Sequence, residues 1–458
     1  MRMQAGEIAA ATGGRLVGPD VVVDGASIDS RDLPVGSLFV PIIDTRDGHD
    51  FIGSALERGA VAFVSSRADL DRYAGVTRIE VADTGEALIA LGRHARTRLA
   101  DSSGSSALRA VVGITGSVGK TTTKDLLAAV SATTYRTAAN LRSFNNELGV
   151  PLTLVNAPDD TEVVVVEMGA RGAGHIGLLC EVARPTVGVV TAVEMVHTEL
   201  FGSLAEVATA KGELIESLPP TGTAVLDADN PLVTAMADRT DARVLRFSRD
   251  DEPVGRSVDL WASGVVLDDQ LRPRFRLHSA WGDIDLRLEV RGRHNVTNAL
   301  AAAGAALAVG VDLDHVAAGL SQAASSPWRM ELATAPSGAR ILNDAYNAGP
   351  ASTAAALRAL AALGADRSTA VLGVMAELGE DGPEAHRAIA EQAAELGIRV
   401  IAVGAADYGP TAEHVDTRDE VLGRLGASGG LGSGDAVLVK GSRVAGLEQV
   451  AQALVADG

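Results

Sequence analysis

Residues 107–132 read ALRAVVGITGSVGKTTTKDLLAAVSA, an apolar run of strand length that passes through a glycine loop directly into a helical stretch. No other segment restricts the fold as strongly. A glycine loop between a buried strand and a helix lets backbone N–H groups converge on an anion at the helix N-terminus. Gly116 and Gly119 permit the tight wrap, Lys120 reaches terminal phosphates, and Thr121 or Thr122 can hold Mg²⁺. Ile114 occupies the first glycine position of the usual G-x-x-x-x-G-K-[ST] pattern, so a purely structural turn is the competing reading.

The rest of the chain repeats the strand-then-helix rhythm. TEVVVVEMG (161–169), TVGVVTAV (186–193) and GTAVLDAD (222–229) are strand candidates, and HNVTNALAAAGAALAVG (294–310) is a small-residue helix. Continuous valine-rich runs separated by helices indicate strands buried on both faces, hence a mainly parallel sheet. DSSGSS (101–106) and SQAASSP (321–327) are linker signals. Before the first lie GSLFVPII, AVAFVSS and the helical EALIALGRHARTRLA; after the second come STAVLGVM, IRVIAVG and DAVLVKGS. The expected architecture is α/β in three domains. These are a small α/β domain over 1–104, a central P-loop-type domain with a mainly parallel sheet over 105–324, and a Rossmann-like α/β domain over 325–458. The length of 458 residues fits three cores at roughly 150 residues each.

Charge narrows the function. The formal net charge is 40 − 59 = −19 and no basic stripe interrupts it, which argues against nucleic-acid or anionic-membrane partners. Only four of the 40 basic residues are lysines: Lys120, Lys124, Lys211 and Lys440. Arginine fills the solvated positions, so a lysine marks chemistry that a bulkier planar guanidinium performs badly. A compact ammonium suits a narrow phosphate cradle, and an amine can also attack CO₂ to give a carbamate. Cys180 is the single cysteine, which excludes an internal disulfide and points to a reducing, cytoplasmic setting. No apolar run reaches the length of a membrane span and no signal-peptide core is visible.

Three further positions carry chemistry. Glu167 closes the run TEVVVVE at the carboxyl end of a strand, where α/β sheets seat ligands and where a carboxylate beside a phosphate loop binds Mg²⁺. His197 follows TVGVVTAV; alone, it reads equally as a core or surface histidine. Lys211 lies on the helical SLAEVATAKGELIESL, and Lys440 follows a strand in LVKGSR, positioned to meet a carboxylate or phosphate.

GITGSVGKTTTK, SFNNELGVPLTL, VVVEMGARGAGHI, VHTELFGSLAEVATAKGE, GRHNVTNALAA, WRME, NDAYNAGP, VMAELGE and LVKGSR occur in the order found in Mur ligases, and nearly the whole chain resembles that family. The resemblance implies an ATP-dependent amide-forming ligase of cytoplasmic peptidoglycan precursor synthesis. Its details are similar to the branch that joins D-alanyl-D-alanine to UDP-N-acetylmuramoyl-tripeptide. It further implies that Thr115, Gly116, Ser117, Val118, Gly119, Lys120, Thr121 and Thr122 hold the ATP phosphates. Thr121, Glu167, His197 and a carbamylated Lys211 would bind Mg²⁺, with Lys120, Glu167, His197 and Lys211 as the catalytic set. His294, Asn295 and Asn298 would lie beside the adenine, and Arg329 and Asp344 would reach the ribose and phosphates. Ser30, Arg31, Asp47, Gly48 and His49 would seat the UDP-sugar. Asn145, Asn146, Tyr346, Asn347 and Lys440 would contact acceptor or dipeptide, and His386 is a further candidate. The expected mechanism passes through an acyl phosphate, and the expected state is a monomer.

The chain departs from the family pattern at Ala345 and Gly349 of NDAYNAGP, and at Val374, where an acidic residue is common. DNPL (229–232) is expected to be a strand-end turn. Rival readings are another amide ligase of the same superfamily, an ATP-binding protein with a dead centre, and a P-loop hydrolase or kinase. They differ in whether ATP turnover requires both a carboxylate and an amine.

Overall fold

The computed structural model describes residues 1–101, 107–141, 143–194, 201–251, 253, 257–427 and 430–457. The chain forms three α/β domains. The central sheet has nine strands in the order Gly282–Arg287, Pro273–Ser279, Leu260–Leu267, Arg243–Ser248, Thr223–Asp227, Val187–Val190, Ala110–Thr115, Val163–Glu167, Thr137–Ala139. Every pairing from Thr137–Ala139 through Leu260–Leu267 is parallel, and the last two are antiparallel. The strand that feeds the glycine loop sits between the strand ending in Glu167 and the strand preceding Thr191. Register places Glu167 opposite Ile114 and Val190 opposite Thr115. Three functional segments thereby leave the sheet side by side at its carboxyl edge.

The valine runs form strands because both faces are covered. Val164 and Val166 face one core with Leu179 and Leu214, while Val163 and Val165 face a second with Leu127 and Val130. Full burial of each such side chain contributes roughly 1.5–3 kcal/mol. The Asn295–Val309 helix can be alanine-rich because it lies tightly on the sheet: a Cβ at Gly304 would come 3.0 Å from Val225. The antiparallel strands over 260–287 carry no continuous apolar run. Pro273–Ser279 alternates buried and exposed residues, and those strands were absent from the sequence reading.

The first domain holds a five-stranded sheet and a two-stranded ribbon, and it shares its core with the central domain. Its Thr84–Asp101 helix crosses the Gly149–Asn156 helix at Gly92, where a Cβ would lie 2.7 Å from Pro151. Arg96 Nε donates to Ala183 O at 2.8 Å, and Asn156 both accepts from Ala26 N and donates to Ala26 O. The third domain has its own six-stranded sheet, parallel except for the pair Glu331–Thr334 with Arg340–Asn343, and two cores of its own. Leu271, in the hairpin turn at the rim of the central sheet, inserts into one of these cores. DNPL is more than a turn: Asn230 Oδ1 accepts from Leu232 N and Val233 N and caps the short helix Pro231–Thr234. No helix among the described residues is long and apolar enough to cross a membrane.

Candidate active site

A cleft of about 850 Å³ opens between the central and third domains, and the glycine loop forms its floor. Gly116 (φ 147°) and Gly119 (φ 84°) adopt backbone that disfavours side chains, and there is no room for one. A Cβ would lie 2.0 Å from Thr191 Oγ1 at Gly116 and 2.3 Å from Asn298 Oδ1 at Gly119. The neighbours that forbid a side chain also brace the loop. Thr191 Oγ1 donates to Val118 O at 2.5 Å, Ser117 N donates to Ala192 O at 2.8 Å, and Asn298 Nδ2 donates to Asn295 Oδ1 at 2.7 Å. Lys120 Nζ donates back to Gly116 O at 2.8 Å and Ser117 O at 3.2 Å. Burial pushes its pKa below the ordinary lysine value; Glu167 and Glu377 oppose that shift and Arg329 adds to it.

Glu167 is 1% exposed, and its backbone N–H donates to Asn140 Oδ1 at 2.9 Å. Asn140 is itself fixed, since its carbonyl accepts from Lys124 Nζ at 2.9 Å and its amide donates to Phe144 O. Lys124 therefore serves the structure behind Glu167. Asn145 Nδ2 donates to Glu167 Oε1 at 2.8 Å, whereas the buried Oε2 has no hydrogen-bond partner. An oriented, dry carboxylate oxygen with an unused acceptor site fits a cation better than it fits a solvated strand end. Lys211 is 3% exposed, lines the same cleft, and makes no hydrogen bond or ion pair among the described residues. Burial first, and Lys120 second, push its ammonium well below the ordinary range, which favours the neutral amine. His197 lies outside the described residues, and among those described no group of three or more His, Cys, Asp or Glu is arranged to hold a metal.

The third domain supplies the opposite wall. Arg329 Nη2 donates to Thr121 Oγ1 at 2.9 Å, and the guanidinium lies 4.2 Å from the centre of the Tyr346 ring. Its buried Nε has no partner. Trp328 (φ 59°) and Met330 (φ 53°), on either side of Arg329, both hold left-handed backbone. Asp344 accepts from Met330 N at 3.1 Å and forms a buried ion pair with Lys440 Nζ at 2.5 Å, and Lys440 also donates to Asn347 O at 2.9 Å. Lys440 does meet a carboxylate, but an internal one, and it fixes the 344–347 turn. His294 lines the cleft with its pKa lowered to about 4 by burial, so it is neutral at pH 7. Asn146 Oδ1 accepts from Gly149 N and starts the following helix.

Two histidines are hubs rather than exposed contacts. His49 is fully buried: Nε2 accepts from Ser66 N at 3.1 Å, so Nδ1 carries the proton shared with Asp47 Oδ1 at 2.6 Å. Asp47 also pairs with Arg67 at 2.6 Å, and a Cβ at Gly48 would meet Ile42 backbone at 2.6 Å. Ser30 is buried and Arg31, paired with Asp29, is exposed; this first-domain group stands apart from the cleft. His386 is likewise buried, accepting from Met375 N at 2.9 Å and donating to Gly382 O at 2.7 Å, which removes it as a substrate contact. The sequence reading passed over Asn140, Thr191, Glu194, Asp227 and Glu377. Burial raises the Asp227 carboxyl to about 7 and also raises that of Glu194, whose Oε2 has no partner. Both lie just past strand ends, where position relative to the sheet edge was the available signal.

Comparison with known proteins places this geometry. Three family models match: the Mur ligase family catalytic domain over 22–96, the Mur ligase middle domain over 114–306, and the Mur ligase glutamate ligase domain over 328–443. The chain is 40% identical to a UDP-N-acetylmuramoyl-tripeptide–D-alanyl-D-alanine ligase of Mycobacterium tuberculosis, over 94% of this chain and 91% of the relative. It is 34% identical to the ligase of that description in Escherichia coli, over 97% and 96%. Among solved structures it resembles MurF from Acinetobacter baumannii (TM-score 0.87, 27% identity, 99% of each chain) and MurF from Thermotoga maritima in complex with ADP (TM-score 0.76, 27% identity, 94% and 96%).

Proposed function

The chain belongs to the Mur ligase family and is an ATP-dependent amide-forming ligase of peptidoglycan synthesis; we propose that it joins D-alanyl-D-alanine to UDP-N-acetylmuramoyl-tripeptide in the cleft between its second and third domains. The observation that carries the site assignment is the convergence of Lys120, Lys211 and the unpartnered Glu167 Oε2 beneath Arg329. In this reading residues 1–104 seat the UDP-sugar through Ser30 and Arg31, residues 105–324 hold ATP, and residues 325–458 close over it and present the dipeptide. The enzyme works in the cytoplasm as a monomer.

A carboxylate does not condense with an amine in water, so it must first be activated. The glycine loop and Lys120 hold the ATP phosphates while the tripeptide carboxylate attacks the γ-phosphorus, giving an acyl phosphate and ADP. Lys120 must release the Gly116 and Ser117 carbonyls to do so, and it then carries its charge to the phosphoryl oxygens. Thr121, Glu167 and carbamylated Lys211, together with His197, are the residues that would hold Mg²⁺, and their oxygen-rich set fits that ion. Bound there, the ion neutralises charge developing on the transferred phosphoryl group. Arg329, through its unpartnered Nε, adds a second cation from the third domain. His294, kept neutral, together with Asn295 and Asn298, borders the adenine end without adding charge. The domain wall carrying Arg329 and Tyr346 keeps water from the acyl phosphate until the amine attacks.

The test is ADP release with UDP-N-acetylmuramoyl-tripeptide, with and without D-alanyl-D-alanine. Release that requires both substrates is expected. Release without the dipeptide, or with a single amino acid in its place, overturns the assignment.

A further inference from the structure

The loop that leaves the Arg367–Leu372 strand is tethered at consecutive residues. Gly373 N donates to Lys440 O at 2.9 Å, and Gly373 O accepts from Tyr408 Oη at 3.0 Å. Val374 O accepts from Ser442 N, Met375 N donates to His386 Nε2, and Ala376 N donates to Ser442 Oγ, each at 2.9 Å. The next residue, Glu377, has φ 67°. Left-handed backbone costs roughly 1 kcal/mol for any residue with a Cβ, and glycine adopts it freely. The chain therefore keeps a carboxylate where its backbone favours glycine, directly after a segment held too firmly to relax. Strain of this kind persists where the surrounding structure over-determines it, as at functional sites.

Glu377 lines the cleft from the third domain, across from Lys120. The other cleft carboxylates have evident employment. Asp344 is spent on Lys440 and Met330 N, and Glu167 on Asn145 and the cation site. Asp229 takes Ser248 Oγ and Arg249 N, Asp227 takes Asp229 N, and Glu147 faces Arg171 at 3.8 Å. Glu194 lies beneath the loop beside Ser117. Glu377 and Asp344 are the cleft carboxylates that the third domain contributes among the described residues.

We infer that Glu377 receives the ammonium group of the incoming amine and holds its nitrogen against the acyl phosphate. The inference rests on the ligase reading above. The ammonium gives one proton to the Glu377 carboxylate, and the freed nitrogen pair forms the C–N bond at the acyl carbon as the carbonyl pair moves to oxygen. Collapse re-forms the carbonyl and breaks the bond from carbon to phosphate oxygen. That electron pair leaves with inorganic phosphate, and the second nitrogen proton passes to solvent.

The experiment compares two nucleophiles on the same acyl phosphate: D-alanyl-D-alanine, which arrives as a cation, and hydroxylamine, which is uncharged at neutral pH. Glu377→Gln is expected to lower the ratio of dipeptide-dependent to hydroxylamine-dependent ADP release at least tenfold, mainly through KM for the dipeptide. Glu377→Asp, which retains the charge, is expected to recover part of that ratio. An unchanged ratio in Glu377→Gln, or equal loss with both nucleophiles, overturns the inference. Failure of the unmodified enzyme to consume the dipeptide at all would instead remove the ligase reading.

Discussion

Arg329, from the third domain, donates to the hydroxyl of Thr121, in the first turn of the helix behind the glycine loop, at 2.9 Å. One hydrogen bond thus connects the moving wall of the cleft to its floor, and the Tyr346 ring beneath the guanidinium fixes the angle of approach. An ammonium at this position could reach Thr121 but could neither lie flat on the ring nor offer a second donor. Arg329→Lys is expected to lower kcat/KM for ATP about 10- to 100-fold while the thermal midpoint changes little. Initial rates of ADP release at varied ATP check this, and an unchanged KM for ATP would contradict it.

Lys211 carries a second prediction, in two parts. Lys211→Arg is expected to abolish turnover despite retaining charge, because arginine cannot form a carbamate; near-normal turnover would remove carbamylation from the mechanism. The second part concerns stability. The native state binds its Lys211 proton less readily than the unfolded chain does, so this group's contribution to stability rises with pH up to the ordinary lysine value of about 10.4. In CO₂-free buffer Lys211→Met is expected to melt above the unmodified protein at pH 7, with the gap narrowing by pH 9.5.

Asp227 has the opposite sign. Its folded carboxyl titrates near 7, against about 3.9 in an unfolded chain, so the native state holds the extra proton between those values and stability falls as pH rises through that window. Burial is the main cause, reinforced by Asp229 and Glu194 and opposed by the Asp229 backbone N–H and Arg249. Asp227→Asn keeps an acceptor for Asp229 N and removes the charge. It is expected to raise stability by on the order of 2–4 kcal/mol at pH 7.5 and to make almost no difference near pH 4. Thermal melts at the two pH values decide it.

The buried pair Lys440–Asp344 yields a stability test by double substitution. Lys440→Met leaves the Asp344 carboxylate buried without its cation and is expected to cost about 3–5 kcal/mol. Lys440→Met with Asp344→Asn removes both charges and is expected to recover much of that loss. Denaturant titration of the two variants, followed at the third domain, measures the difference. Equal stability of the single and double variants would show that the pair contributes little.

Much of this was legible in the chain, and the reasons differ by residue. Val163 to Val166 advertise a doubly buried strand because neither face tolerates a polar residue. Gly116 and Gly119 stand out because their neighbours leave no space for a side chain. The hairpin over 260–287 was hidden, since only one face of it is apolar and its period of two is faint beside the valine runs. His49 and His386 look like ligands in sequence, because nothing local shows that both ring nitrogens are already committed to Asp47 and Ser66 or to Met375 and Gly382. The pairing of Lys440 with Asp344 joins residues 96 positions apart and needs the parallel register of two strands to be seen.

The placement of the four lysines has a practical consequence. Lys124, Lys211 and Lys440 are each 3% exposed, and Lys120 opens only onto the cleft. Acylating and aldehyde reagents, which usually decorate a protein's whole exterior, would find no lysine amine on the outside of this one. Their first lysine target is Lys120, so the extent of modification reports whether the phosphate cradle is occupied. Bound nucleotide should protect that single position, and one peptide spanning residues 110–136 would record the protection by mass.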